Sequence, residues 1–368
     1  MSLKDLIINK IKTKGPITVS EYMDDCLFNE QYGYYRIHNP LGDRGDFITA
    51  PEISQIFGEL IGIWIIDLWQ RSGQPGLLNL IELGPGHGTM MADILRILPE
   101  ELRAKTNTHL VEVNEILINL QKQKLSGQNI HWHSSIPDAF DAISDGFTIV
   151  LANEFFDVLP IHQLIMSDSG WQERYVDCKK DKLVFSTGPV SANIYPPLTE
   201  ISQIPTGSVY EICPLAFEVL TLVSEFMLKQ NGAFLAFDYG FVLNTFGDTL
   251  QAVHSHSYHD ILKDPGNSDL TAHINFFKFV EHLSNFDLNI FGPNLQGTFL
   301  SELGIDIRAH TLKSKATELQ AAEIDRSVHR LINTTQMGEL FKVLCIASKS
   351  LPKPSGFATC FTHQTSVM

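Results

Sequence analysis

The chain has 368 residues, 44% of them hydrophobic and 19% charged, enough to bury one large core or one core plus a smaller lid domain. Its 27 Lys+Arg against 42 Asp+Glu give a formal charge of -15, which argues against general phosphate-backbone binding and suits a cationic ligand or substrate. The five cysteines, Cys26, Cys178, Cys213, Cys345 and Cys360, are scattered without a C-x-x-C pair, so they read as reduced thiols in a cytoplasmic compartment.

At the N-terminus Leu3, Leu6, Ile7 and Ile11 fall at helical spacing, and Gly15-Pro16 ends the run. The stretch lacks the apolar core and cleavage site of a secretory signal and, unlike a mitochondrial presequence, has no arginine. The most apolar window, "FGELIGIWIIDLW" from Phe57 to Trp69, is interrupted by Glu59 and Asp67 and is too short to span a membrane; it reads as a buried helix. Then "GLLNLIEL", "THLVEV", "NIHWHSS" and "GFTIVLAN" read as strands, with "MMADILRILP" and "NEILINLQKQKL" as intervening helices. This alternation predicts right-handed βαβ units, a parallel sheet, and ligand binding at the strands' C-terminal ends. After Pro160, alternating residues around Asp168-Ser169-Gly170 predict an inserted hairpin. The helix "PLAFEVLTLVSEFMLKQ" and the strand "GAFLAFDYG" resume the pattern, a mixed insertion follows, and "LFKVLCIAS" predicts a last central strand. Residues 351–368 read as a loose tail.

The run "LIELGPGHGTMMADILR" (Leu80 to Arg96) sets the chemical question, because a glycine-rich strand-to-helix turn can hold a phosphate, a dinucleotide or a nucleoside. Gly84, Pro85, Gly86, His87, Gly88 and Thr89 place glycines at alternate positions, which departs from G-x-G-x-x-G, and no lysine follows to make a P-loop. Glu82, just before the turn, would repel a pyrophosphate. S-adenosyl-L-methionine (SAM) meets these conditions: it carries adenosine, an ammonium-carboxylate tail and a sulfonium, but no phosphate. The glycines of the turn, with Pro85 and Thr89, would admit it closely. Glu82 would accept from the ammonium, and Glu112, ending the second strand, from the ribose hydroxyls.

The stretches "GPITVSEYMDDCL", "GYY", "GDFITAPEISQIFGELIGIW", "ELGPGHGTMMADILR", "ANEFFDVLPIHQ", "GDTLQA", "DLTAHINF" and "MGELFKVL" run in order along most of the chain, which thereby resembles the MidA family of SAM-dependent methyltransferases. The resemblance implies an α/β, Rossmann-like class I methyltransferase fold with a mostly parallel seven-stranded sheet. It also implies symmetric dimethylation of a protein arginine, on a respiratory complex I subunit for mitochondrial members, in aid of complex assembly. Two departures stand out: His87 occupies a position where the family usually has arginine, and "VEVNE" replaces a common Ser-Pro after the glutamate. The expected organisation is an N-terminal helical cap with the "GDFITAPE" loop over 1–75 and a core over 76–350 with insertions at about 161–210 and 241–335, followed by the tail.

An arginine substrate is cationic at working pH and must face a cationic sulfonium, so its pocket needs carboxylates. Glu154 and Asp157 in "NEFFD" fall beyond the fourth strand, where they would meet the cofactor's sulfonium end, and the Asn153 amide would hold cofactor or substrate. The competing reading is a helix N-cap at Asn153; Phe155 and Phe156 read as core more readily than as a clamp. In "GDFITAPE", Thr49 and Glu52 suit a loop folded over a ligand, or an N-cap and a first turn with Pro51. Asp238 and Tyr239 end another strand, and Glu211 is either a helix-entry acid or a pocket carboxylate. His273 lies in a family-like stretch as a general-base or orienting candidate. His254, His256 and His259 in "HSHSYH" match a metal cluster by count, with His254 and His256 on one strand face, but no nearby acid or cysteine completes a site, so no metal is expected. Besides arginine methylation, a methyltransferase fold serving as a binding module or assembly chaperone and a nicotinamide oxidoreductase remain open, the last disfavoured by the glycine spacing.

Overall fold

Strands form where apolar runs leave no polar face. In "LNLIEL" and "FKVLCIA" every residue is buried, the pattern of strands covered on both faces. The computed structural model describes residues 1–37, 48–197, 204–254 and 257–358. The chain divides into two compact units: unit 1 holds Met1–Phe47, Phe156–Glu218 and Leu243–His273, and unit 2 holds Ile48–Phe155, Val219–Val242 and Ile274–Met368.

Unit 2 is built on an eight-stranded sheet: β1 (Leu78–Leu83), β2 (Thr106–Val111), β3 (Ile130–His133), β4 (Phe147–Asn153), β5 (Asn231–Phe241), β6 (Ile274–Asn275), β7 (Asn289–Leu295) and β8 (Phe341–Ala347). The order is β7-β8-β5-β4-β1-β2-β3, with the short β6 beside β5. The pairs from β3 through β5 are parallel, whereas β8 runs antiparallel to both β5 and β7. Order reverses at β1: the chain moves outward through β2 and β3, then returns to β4 on the other side. Such a switch point opens a crevice beyond the strands' C-terminal ends.

The helix Gln55–Arg71 packs on Thr89–Ile97 through glycines, since a Cβ at Gly58 would stand 2.6 Å from Asp93 Cβ. Its interrupting acid is buried rather than exposed: Glu59, 1% exposed, pairs with Arg96 at 2.9 Å and Arg308 at 2.8 Å, each from a different helix. Burial alone would raise its pKa, and the two guanidiniums lower it below the ordinary value. At the far end, Leu351 and Phe357 are buried and Trp64 Nε1 donates to the Ser355 carbonyl, so 351–358 is pinned to the core instead of trailing as expected. Residues 359–368 of that expected tail lie outside the described ones.

Unit 1 joins the N-terminal helices Leu3–Lys14 and Val19–Phe28, each opened by a capping box, to antiparallel strands. Gly170–Lys179 pairs with His162–Ser167 and Lys182–Gly188, and the turn between the first two contains Asp168-Ser169-Gly170, as the sequence predicts. A separate three-stranded sheet comprises Gln251–His254, Ser257–His259 and Asp269–Thr271. Leu3, Ile7, Tyr22, Leu27, Val176 and Leu270 share one core. Gln55–Arg71, expected in the N-terminal cap, belongs to unit 2, where its apolar face is buried in the core, and 274–335, expected as part of an insertion in the core, belongs to unit 2 as well.

Candidate active site

Strand β1 delivers Glu82 and Leu83 to the switch point, and the chain then turns into the helix Thr89–Ile97. Gly84, Gly86 and Gly88 have φ of 64°, 54° and 73°, all left-handed, where a Cβ is strained. A Cβ at Gly84 would also stand 3.1 Å from the Phe155 ring. The turn closes through Gly88 N–H donating to the Pro85 carbonyl at 2.7 Å, and Gly84 N–H anchors it to the Val111 carbonyl of β2 at 3.1 Å.

Glu82 is 2% exposed, and its Oε2 has no hydrogen-bond partner among the described residues. Burial, helped by the charge of Glu112, pushes its pKa up to about 8. A buried acid with an open acceptor at the turn suits a cation, which would supply the missing partner. Glu112 lies one residue past the end of β2, not within the strand as expected. Its Oε1 accepts from the Val113 and Asn114 amides at 2.8 and 2.9 Å, and Asn114 caps the helix Glu115–Lys124.

Thr49 occupies the N-cap of the short helix Ala50–Ile53, but its hydroxyl makes no cap bond. Glu52, in that helix's first turn, reaches the glycine turn: it accepts from Thr89 Oγ1, and His87 Nδ1 lies 3.4 Å away. The His87 bond, opposed by burial and reinforced by Thr89, brings the Glu52 carboxyl down to about 2. The first three residues of "GDFITAPE" lie outside the described ones.

Past Asn153 no helix starts, so the N-cap reading of "NEFFD" fails; the chain goes into a turn, and Leu159 N–H reaches the Phe156 carbonyl. Glu154 takes the left-handed conformation at φ 50°. Its amide donates to the Phe237 carbonyl of β5 at 2.8 Å, and its Oε1 accepts from Ala50 N–H and Asn153 Nδ2, each at 3.1 Å. Asn153 Oδ1 is buried with no partner among the described residues. Unit 2 thus brings together Thr49, Glu52, Glu82, Gly84, Pro85, Gly86, Gly88, Thr89, Glu112, Asn153 and Glu154.

Asp157 and His273 belong to unit 1. Asp157 is 5% exposed, its carbonyl accepts from Ala272 N–H, and its charge, behind burial and Asp269, raises the pKa of Tyr35. His273 N–H donates to Thr249 Oγ1, and Thr249 in turn bonds Glu211, which also takes Gln163 Nε2 at 2.6 Å; Glu211 is therefore part of a buried polar network and not a helix-entry acid. His254 and His259 sit on two paired antiparallel strands with rings 5.8 Å apart, and His256, expected on the same strand face as His254, is outside the described residues. No group of three metal-ligating side chains occurs among the described residues. Asp238 and Tyr239 are buried inside β5, which runs on to Phe241, and the Asp238 carboxylate accepts from Tyr239 N–H. An open cavity of about 740 Å³ in unit 1, lined by Arg174, Phe185 and Asp248 among others, holds none of the expected site residues.

Two side chains of this region escape a reading by residue type. Lys342 is buried and donates to three backbone carbonyls, those of Gly240, Glu339 and Leu340. Gln121, fully buried, donates to the Gly86 carbonyl at 2.7 Å. Its signal in the sequence was spacing: Leu117, Gln121 and Leu125 form an inward stripe at intervals of four.

The left-handed glycines, the open acceptors of Glu82 and Asn153, and the amide-held Glu112 fit a cationic nucleoside without phosphate, which is what SAM offers. Comparison with known proteins agrees. Residues 60–294 match the family described as S-adenosyl-L-methionine-dependent methyltransferase. The mitochondrial protein arginine methyltransferase NDUFAF7 of Xenopus tropicalis is 35% identical over 397 residues, covering 98% of this chain and 90% of that one. The human protein of the same name is 36% identical over 370 residues, covering 92% and 82%. In fold the chain resembles a COG1565 superfamily member and likely methyl transferase from Burkholderia thailandensis bound to S-adenosyl-homocysteine, with a TM-score of 0.81 at 24% identity over 98% of this chain and 96% of that one. The chain belongs to the S-adenosyl-L-methionine-dependent methyltransferase family, as an α/β enzyme that uses SAM as its cofactor.

Proposed function

We propose that this enzyme methylates arginine in a protein substrate, forming symmetric dimethylarginine on a respiratory complex I subunit or its equivalent and so aiding assembly of that complex. It would act in the cytoplasm of a bacterium, or in the mitochondrial matrix for eukaryotic relatives. The arginine specificity in the names of the relatives supports the reading. The observation that carries it within the chain is Glu154, an acid at the C-terminal end of β4 whose left-handed backbone and two hydrogen bonds fix its carboxylate before substrate arrives.

When bound, SAM supplies an electrophilic methyl group. Glu82 would hold its ammonium, Glu112 its ribose hydroxyls, and the glycine turn with Thr89 and Asn153 would line its path. Glu154 would pair with the substrate guanidinium, offset its repulsion by the sulfonium, and turn one nitrogen toward the methyl. Within unit 2, Glu52 is the second candidate for charge handling, with Thr49 closing on the cofactor.

Glu154→Gln tests this directly. Calorimetry should give SAM affinity within about threefold of wild type, while methyl transfer into arginine should fall on the order of 100-fold, because a neutral amide cannot pair with a guanidinium. Full activity in the variant would move the substrate acid elsewhere.

A further inference from the structure

We infer that Gln121 is a positioning residue that locks the ribose acid Glu112 to the glycine turn and so tunes recognition of the ribose; the inference rests on the SAM reading of this site. Gln121 is fully buried on the helix Glu115–Lys124. Trp132 of β3 donates its indole N–H to Gln121 Oε1 at 2.9 Å. An indole nitrogen only donates, so the amide oxygen must face Trp132 and both amide protons point away from it.

Those two protons have two targets. Nε2 lies 2.7 Å from the Gly86 carbonyl and 3.2 Å from Glu112 Oε2. The amide thus bridges the left-handed centre of the turn and the second oxygen of the acid, whose first oxygen is held by the Val113 and Asn114 amides. Held at both oxygens, the carboxylate cannot rotate about its last bond. The fit extends along the turn, because a Cβ on Gly88 would come within 3.3 Å of Gln121 Cγ.

A buried glutamine that only filled space would weaken every ligand alike when replaced. A residue that orients Glu112 acts selectively, on the part of the affinity that comes from the ribose hydroxyls. The test is calorimetry on the full chain with two ligands, S-adenosylhomocysteine and its 2′-deoxy counterpart. Wild type should prefer the hydroxylated ligand. Gln121→Met, similar in length but unable to donate, should reduce that preference about tenfold, the size of a lost hydrogen bond to a charged group. It should leave the deoxy ligand's affinity nearly unchanged. Trp132→Phe, which frees the amide to turn over, should reduce the preference by less, and it carries the test if Gln121→Met does not fold.

An unchanged preference, or an equal loss for both ligands, would overturn the role of Gln121. Glu112→Gln separates the two levels of the argument. If that variant keeps the wild-type preference, the ribose assignment itself is wrong; if it erases the preference while Gln121→Met and Trp132→Phe do not, only the positioning role falls.

Discussion

Glu82 carries a proton at neutral pH because its 2% exposure and the charge of Glu112 push its pKa to about 8, far above the ordinary 4.5. Binding a cation at its open oxygen requires the ionised form, so SAM binding should release a proton. Affinity should therefore rise with pH between about 6 and 8, by up to about tenfold per unit, and level off above. Calorimetry across that range, in buffers of different ionisation heat, checks it; Glu82→Gln should flatten the slope, and equal slopes would contradict the assignment. The sign for stability is opposite. A folded-state pKa raised above the unfolded one means the native chain holds a proton the unfolded chain loses, so this group's contribution to stability falls as pH rises from about 4.5 to 8. Glu52, brought down to about 2, behaves the other way: its stabilisation is present above about 4.5 and is lost as pH falls toward 2. At this scale the position of Glu82 was legible because the glycines that follow mark where its strand stops, and that of Glu112 because an apolar run ends there, although it lies one residue past the strand. For Gln121 the spacing with Leu117 and Leu125 marks only an inward position; its role was not legible, because its partners come from three other segments, which only the fold brings near.

At the scale of elements, the Glu59 cluster joins the helices Gln55–Arg71, Thr89–Ile97 and Ile305–Lys313. Its members are not equivalent. Glu59 is 1% exposed, whereas the Arg96 and Arg308 side chains are 49% and 30% exposed and can reach water. Replacing both arginines by Met strands a buried carboxylate and should cost about 3 kcal/mol or more, while Glu59→Met should cost less, since Arg96 keeps its pair with Asp93 at 2.7 Å and the partly exposed Arg308 guanidinium rehydrates. Urea titration of the variants decides this, and the reverse order would contradict it. The elements themselves were largely readable: β1, β4, β5 and β8 fall within a residue or two of their apolar runs. The exceptions have physical causes. "NEFFD" carries helix-start residue types, yet Glu154 N–H is taken by the β5 carbonyl of Phe237 and the chain is held in a left-handed turn. The last residues looked loose by composition, yet Phe357 packs on Phe291 and Phe299.

For the whole molecule, the parallel stretch of the sheet followed from alternating strands and helices, because βαβ connections allow few arrangements, whereas the strand order and its reversal at β1 come from the structure. The division at 155/156 did not, since Phe155 and Phe156 are adjacent apolar residues and nothing in the sequence marks a boundary between them. Asp157, a candidate by its place beyond the fourth strand, and His273, a candidate by its family-like stretch, belong to unit 1. Arginine methylation is tested by mass spectrometry of dimethylarginine on complex I subunits, or their equivalent, from cells with and without this gene. A symmetric dimethylarginine mark should disappear on deletion and return with wild type but not with Glu154→Gln. A mark that persists without the gene, or that Glu154→Gln restores in full, would contradict it.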